Sequence, residues 1–381
     1  MNADSISDLR VAVVHEWLER YAGSERVLEQ MLAALPQADL FALVDFLPAD
    51  ERGFLGGRPV RTSYIQKLPF ARKGFRKYLA LMPHAVEQFD LSGYDLVISS
   101  SHAVAKGVIT GPEQLHLCMC YSPMRYAWDL YHDYLRGAGL AGRMRGAPAR
   151  WVLHYLRMWD VRTANGVDEF LAISNFIARR IWKFYRRRST VIYPPVNVDA
   201  FPRQDAKEDF YLAASRMVPY KRMDIIVEAF SRMPDRRLIV IGDGPDLARC
   251  RAKAGANVKL LGYQPSDVLA DHMRRARAFI FAAKEDFGIV AIEAQACGTP
   301  VIAYGVGGSA ETVLDGRTGI LFPRQAPQDI VQAVERFEGC AGEFDPAALR
   351  AHAETFSPER FRRQFSEFVE QQWEGFRRRS R

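Results

Sequence analysis

Ala278-Phe279-Ile280-Phe281-Ala282-Ala283-Lys284-Glu285-Asp286-Phe287-Gly288-Ile289-Val290-Ala291-Ile292-Glu293-Ala294-Gln295-Ala296-Cys297-Gly298-Thr299-Pro300-Val301-Ile302-Ala303 carries the decisive pattern of this chain. Two apolar runs of strand length, 278–281 and 300–303, flank a helix-length stretch, 289–296. That is a β–α–β unit, whose two strands run parallel. The runs are apolar at nearly every position, as expected when helices cover both faces of a sheet.

The same alternation extends outward. Strands are expected at 10–14, 40–44, 96–99, 115–120 and 170–173, and again at 210–213, 237–241 and 258–261. At 381 residues the chain is too long for one ordinary core. Tyr193-Pro194-Pro195-Val196-Asn197-Val198-Asp199 breaks the pattern, because two prolines impose extended backbone. The expectation is therefore an α/β protein of two doubly wound, Rossmann-like domains, 1–195 and 196–357, facing a cleft. Aromatics at Phe361, Phe365, Phe368 and Trp373 predict a helix over 358–376 that packs back on the first domain, followed by a solvated arginine tail. Ligands in such folds sit beyond the C-terminal ends of the strands, so the loops after each strand are where chemistry is expected.

Composition narrows the class. Hydrophobic residues make up 48% and charged residues 25%, ordinary for a globular protein. No apolar run approaches the roughly 20 residues of a membrane-spanning helix, and Met1 to Asp8 is polar, so a cytoplasmic location is expected. The five cysteines (118, 120, 250, 297, 340) form no C-x-x-C pair and read as buried thiols. A net charge of +7 favours polyanionic partners without choosing among them.

Within the opening stretch, Glu285 lies on a loop at a strand's C-terminal end and Gly288 lets the backbone approach a ligand closely. The amides of Gly288, Ile289 and Val290 open a helix, and a helix start suits a diphosphate. Glu293 stands alone among apolar or small helix residues, where a carboxylate usually has a specific partner, such as a pair of ribose hydroxyls.

Glu285 and Glu293 form an E-x7-E pair followed by Ala296-Cys297-Gly298-Thr299-Pro300-Val301-Ile302-Ala303, which resembles the signature of retaining GT-B glycosyltransferases of family four. The resemblance continues through Ser215-Arg216-Met217-Val218-Pro219-Tyr220-Lys221-Arg222, Ile241-Gly242-Asp243-Gly244-Pro245 and Gly305-Val306-Gly307-Gly308-Ser309-Ala310-Glu311. In the first half, Gly23-Ser24-Glu25 is similar to the family's Gly-Gly-x-Glu element, with Ala22 in place of the first glycine. Ser99-Ser100-Ser101-His102 and Cys120-Tyr121-Ser122-Pro123-Met124-Arg125 are similar to motifs of a bacterial mannosyltransferase-like branch. The resemblance implies that Arg216, Lys221, Gly23 and the 288–290 amides hold a donor diphosphate. It also implies that Glu293 and Gly242 lie by the nucleoside, Glu285 and His102 by the transferred sugar, and Arg125 and Tyr121 by the acceptor. Two fixed cations can neutralise a leaving diphosphate without a metal; the chain has no D-x-D sequence, and no cofactor or metal is expected.

The implied donor is a nucleotide sugar, GDP-mannose before a UDP-sugar, and the implied acceptor is a polyprenyl-diphosphate-linked glycan in polysaccharide or lipopolysaccharide assembly. Domain closure would bring Gly23 and His102 against the sugar. A non-hydrolysing nucleotide-sugar epimerase uses the same scaffold and stays open as the alternative. Basic–aromatic stretches at Pro69–Tyr78, at Arg143, Arg145, Arg150 and Arg157 around Trp151, Leu153 and Tyr155, and at Arg186–Arg188 predict an anionic membrane surface as partner, on the inner face of the cell membrane. No nucleic-acid partner is expected, since no RNA-binding motif is present.

Overall fold

A computed structural model of the chain describes residues 6–140, 142 and 146–379. The chain divides into two units, one of residues up to Tyr193 together with those from Phe361 onward, the other Pro194–Arg360. Each is built on one all-parallel sheet.

The first sheet comprises β1 (Val11–His15), β2 (Asp39–Ala42), β3 (Val60–Thr62), β4 (Leu96–Ser101), β5 (Leu115–Cys120), β6 (Glu169–Ala172) and β7 (Ser189–Val191), in spatial order β3-β2-β1-β4-β5-β6-β7. The second comprises β8 (Tyr211–Ala214), β9 (Leu238–Ile241), β10 (Val258–Gly262), β11 (Ala278–Phe281), β12 (Val301–Tyr304) and β13 (Gly319–Phe322), in order β10-β9-β8-β11-β12-β13. The winding direction reverses between β1 and β4 in one unit and between β8 and β11 in the other. This is the doubly wound arrangement expected from the sequence, and the reversal opens a crevice at the strands' C-terminal ends.

All ten expected strands are present. The three unexpected ones, β3, β7 and β13, are edge strands. Edges are buried on fewer sides, so they need less apolar sequence: Val60-Arg61-Thr62 and Ser189-Thr190-Val191 contain no fully buried residue. The central strands are buried throughout, as in β1, β4 and β5.

The C-terminal helix runs Pro358–Arg379 and buries Phe361, Phe365, Phe368 and Val369. It extends through three residues expected as tail, because arginine and glutamate are good helix formers and Arg378 pairs with Glu374 one turn back at 3.2 Å. Ser380 and Arg381 lie outside the described residues. The cysteines are free thiols, four of them buried. No helix among the described residues is long and apolar enough to cross a membrane.

Candidate functional site

In the second unit the chemistry gathers where the winding reverses. The loop after β8 carries Arg216 and ends in the turn Pro219–Lys221. The loop after β11 carries Glu285. The Lys221 ammonium donates to Glu285 Oε1, with both side chains more than four-fifths buried. This joins two residues 64 positions apart. Arg216 is exposed at the loop's rim, its guanidinium 3.3 Å from the Tyr220 hydroxyl.

Neighbouring glycines hold these loops in place. The Gly308 amide donates to the Glu285 carbonyl at 2.8 Å, and a Cβ on Gly307 would stand 2.5 Å from that same oxygen. The glycine-rich connection after β12 is therefore a platform under the Glu285 loop. In the same way a Cβ on Gly242 would come within 1.9 Å of the Ser215 carbonyl, so Gly242 lets the β9 loop lie against the β8 loop. Its residue type is accounted for by that backbone contact.

Gly288 precedes the helix Ile289–Ala296, in which the Ala291 amide already bonds the Gly288 carbonyl at 3.0 Å while the opening amides before it have no intrahelical acceptor. Glu293 lies within this helix and is buried, as are Ala291, Ile292, Ala294 and Gln295 around it. Its charge is felt at Cys297, whose thiol is pushed up to about 12, chiefly by burial. Lys221, Glu285 and Gly288 thus come together around one helix start, and Glu293 lies one turn deeper.

In the first unit the corresponding loops follow β1, β4 and β5. Gly23 begins the helix Gly23–Ala34, and the preceding Ala22 is in extended backbone (φ −134°, ψ −156°). An alanine adopts that conformation without strain, so the missing first glycine is accommodated. The Ala22 amide donates to Glu25 at 3.1 Å.

His102 is half-buried, its ring edge-on to Trp17 at 4.6 Å between centroids. Burial lowers its pKa, against the pull of the Glu16 carboxylate, while nearby Arg125 also disfavours the charged ring. Tyr121 is buried. Its hydroxyl lies 2.8 Å from Ser100 Oγ and donates to the Ser24 carbonyl at 3.2 Å, so it is held by the protein's own groups.

Two features here were not legible as site residues. The first is Glu16, fully buried, whose carboxylate accepts the amides of His102, Ala103, Val104 and Ala105 at 2.7–3.0 Å and the Ser101 hydroxyl at 3.0 Å. Burial opposes its ionisation. The charge at His102 and these amides outweigh that and hold its carboxyl below the usual range. The second is a buried chain in which Glu25 meets His15 Nε2 at 3.3 Å and His15 Nδ1 meets Ser100 Oγ at 2.8 Å. It continues to Tyr121 and so links β1, β4 and the loop after β5. The available signal was a polar pair, His15-Glu16, directly abutting an apolar strand, and a run of three serines.

The basic stretches take different forms. Arg72 and Lys73 lie in a short helical turn, Ala71–Gly74, followed by a 3-10 turn, so 72–78 is not one continuous surface helix. Gly74 interrupts it. Arg76 is tied to Glu19 at 2.5 Å and stacks on Phe75 and Trp17. Arg72, Lys73 and Lys77 are exposed beside Phe70, which is 84% exposed. The helix Ala147–Thr163 buries Leu153 and exposes Trp151, Tyr155, Met158 and Val161 at helical spacing. Arg150 donates to the Gly142 carbonyl and Arg157 to the Ala127 carbonyl, 30 residues away, while Arg143 and Arg145 lie outside the described residues. Arg187 folds back onto the Ala164 and Asp168 carbonyls.

Residues 197–350 match the family model described as glycosyl transferases group 1. That match lies within the second unit, Pro194–Arg360. An uncharacterized glycosyltransferase of Methanocaldococcus jannaschii is 31% identical over 172 residues, 44% of this chain and 48% of that one. A D-inositol 3-phosphate glycosyltransferase of Mycobacteroides abscessus is 32% identical over 237 residues, 56% of this chain and 52% of that one. The chain thus spans about half the length of the curated relatives it matches. Among solved structures, Anabaena Alr3699/HepE in complex with UDP superposes with a TM-score of 0.68 at 17% identity, over 95% of this chain and all of that one. The two-sheet fold is of the GT-B kind.

Proposed function

We propose that the chain is a metal-independent retaining glycosyltransferase that takes its sugar from a nucleoside diphosphate donor. One observation carries the proposal: Lys221 meets Glu285 beside the opening amides of the helix Ile289–Ala296, at the winding reversal of the second sheet. A cation and a row of helix-start amides suit a diphosphate. A carboxylate next to them suits the hydroxyls of the attached sugar. In this reading Arg216 and Lys221 offset the charge of the leaving diphosphate, and Glu293 holds the ribose. As the anomeric carbon–diphosphate bond breaks, the acceptor hydroxyl attacks from the same face, which retains configuration, and its proton passes to the departing diphosphate oxygen. His102 belongs beside the transferred sugar and Arg125 to the acceptor, where it suits a phosphate.

The donor we favour is GDP-mannose, on the resemblance of the first-unit motifs, and the acceptor a lipid-linked glycan in polysaccharide or lipopolysaccharide assembly. The exposed stripe Trp151-Tyr155-Met158-Val161 and the exposed Phe70, Arg72, Lys73 and Lys77 support attachment to an anionic membrane surface. A UDP-sugar is the second reading, since HepE, a structural neighbour, is a complex with UDP-glucose in one of its structures.

A thermal-shift panel of nucleoside diphosphates tests the proposal. GDP raising the melting temperature more than UDP supports the mannose reading, the reverse order supports the second, and no response to any nucleotide overturns the enzyme assignment. Co-sedimentation with phosphatidylglycerol-containing vesicles tests the membrane surface, which is excluded if neutralising Arg72, Lys73 and Lys77 leaves binding unchanged.

A further inference from the structure

We infer that Glu285 is an internal counter-ion that a nucleoside diphosphate must displace from Lys221, so that the site discriminates against the bare nucleotide and in favour of the sugar-bearing one. The inference rests on the donor reading above and assigns Glu285 a role in selectivity between substrate and product.

The geometry behind it is local. Lys221 and Glu285 approach from the two strands that flank the winding reversal, and each is largely withdrawn from water. Glu285 cannot easily back away, because its carbonyl is bonded by the Gly308 amide and backed by Gly307 with no room for a Cβ. Lys221 is held at the end of a tight turn, over the Tyr220 ring at 5.5 Å. In the ligand-free protein, therefore, the Lys221 ammonium is already neutralised.

A diphosphate that takes Lys221 leaves Glu285 with a lost partner and a new negative neighbour. A bare nucleoside diphosphate offers that carboxylate nothing in return. A nucleotide sugar offers hydroxyl donors at the point where the diphosphate ends, so the orphaned carboxylate accepts from them. The same group thus weakens the product complex and restores affinity for the substrate. This favours nucleotide release after transfer.

Isothermal titration of the full chain with GDP, UDP, GDP-mannose and UDP-glucose tests this. A partly buried ion pair of this kind corresponds to about a fivefold change in affinity. Glu285→Gln is expected to bind the preferred bare diphosphate about fivefold tighter than wild type and its sugar nucleotide more weakly, reversing the preference. The gain is expected to shrink in a Lys221→Met background, because the competitor then has nothing to compete for. If Glu285→Gln binds the bare diphosphate no tighter, or if the gain is equal with and without Lys221, the counter-ion role is wrong. If wild type binds none of the four nucleotides, the donor reading falls and this inference with it. Glu285→Ala, with circular dichroism to verify folding, gives the same comparison should the glutamine variant misfold.

Discussion

Replacing Glu16 by glutamine probes a buried electrostatic commitment of the first unit. Its carboxylate collects four consecutive backbone amides and a serine hydroxyl in a site that excludes water. Oε1 accepts four of these donors, and Oε2 accepts the Val104 amide at 3.0 Å. The best glutamine rotamer keeps its oxygen at the crowded position and turns its amide group toward Val104, leaving at least one buried N–H without an acceptor. That costs about 1–3 kcal/mol. The remaining four bonds lose their ionic character, and charge-assisted bonds are roughly twice as strong as neutral ones. Together these give a destabilisation of about 2–4 kcal/mol.

All six tryptophans (17, 128, 151, 159, 182 and 373) lie in the first unit. Urea unfolding followed by tryptophan fluorescence therefore reads this unit. The sign with pH follows from the lowered pKa of Glu16. The folded state binds its proton less readily than the unfolded chain, so the stabilisation is complete above the ordinary carboxylate value of 4.5 and is lost as pH falls through the lower folded value. The gap between wild type and Glu16→Gln should be full at pH 7 and narrow under acid. A gap below about 0.5 kcal/mol at pH 7, within the usual scatter of surface substitutions, would refute the reasoning. So would a gap that does not change down to pH 3.

Three further outcomes are expected. Lys106→Met leaves Asp160, a fully buried carboxylate that Lys106 meets at 2.5 Å, without its cation though still bonded by Trp128 and Tyr185, and should cost about 3–5 kcal/mol in the same fluorescence melt, with Lys106→Met/Asp160→Asn recovering part of it. Burial holds His116 neutral with its pKa lowered to about 4 from 6.5, so stability should fall as pH drops from about 6.5 toward 4, and His116→Gln should flatten that limb of the profile. Gly307→Ala drives a methyl group into the Glu285 carbonyl, 2.5 Å away, and should weaken nucleotide binding at least tenfold by calorimetry while the tryptophan-detected melt of the first unit stays where it was.

How far the chain could be read depended on where each residue sits in its sheet. Central strands such as Leu115–Cys120 are buried at every position and announce themselves as apolar runs. Edge strands such as Ser189–Val191 need no such run and pass for loop. Glu285, Gly288 and Glu293 could be read as one group because they lie close together in one strand–loop–helix passage, with Lys221 in another. Glu16 and His15 were not, because apart from Glu25, ten residues from His15, their side-chain partners lie 85 to 89 residues away at Ser100, Ser101 and in the loop after β4.

The sequence by itself determined the alternation of strand and helix periods, the break at Pro194-Pro195, and which charged groups stand at strand ends. The tertiary structure alone decided which of those charges neutralise one another. Parallel strands adjacent in a sheet bring together loops that are far apart in the chain, β1 beside β4 and β8 beside β11. That adjacency places Glu16 within the amides of 102–105 and Lys221 against Glu285. Coulomb interaction and hydrogen bonding fall off over a few ångströms, so residue types alone specify the groups available, and only the folded sheet specifies the pairs.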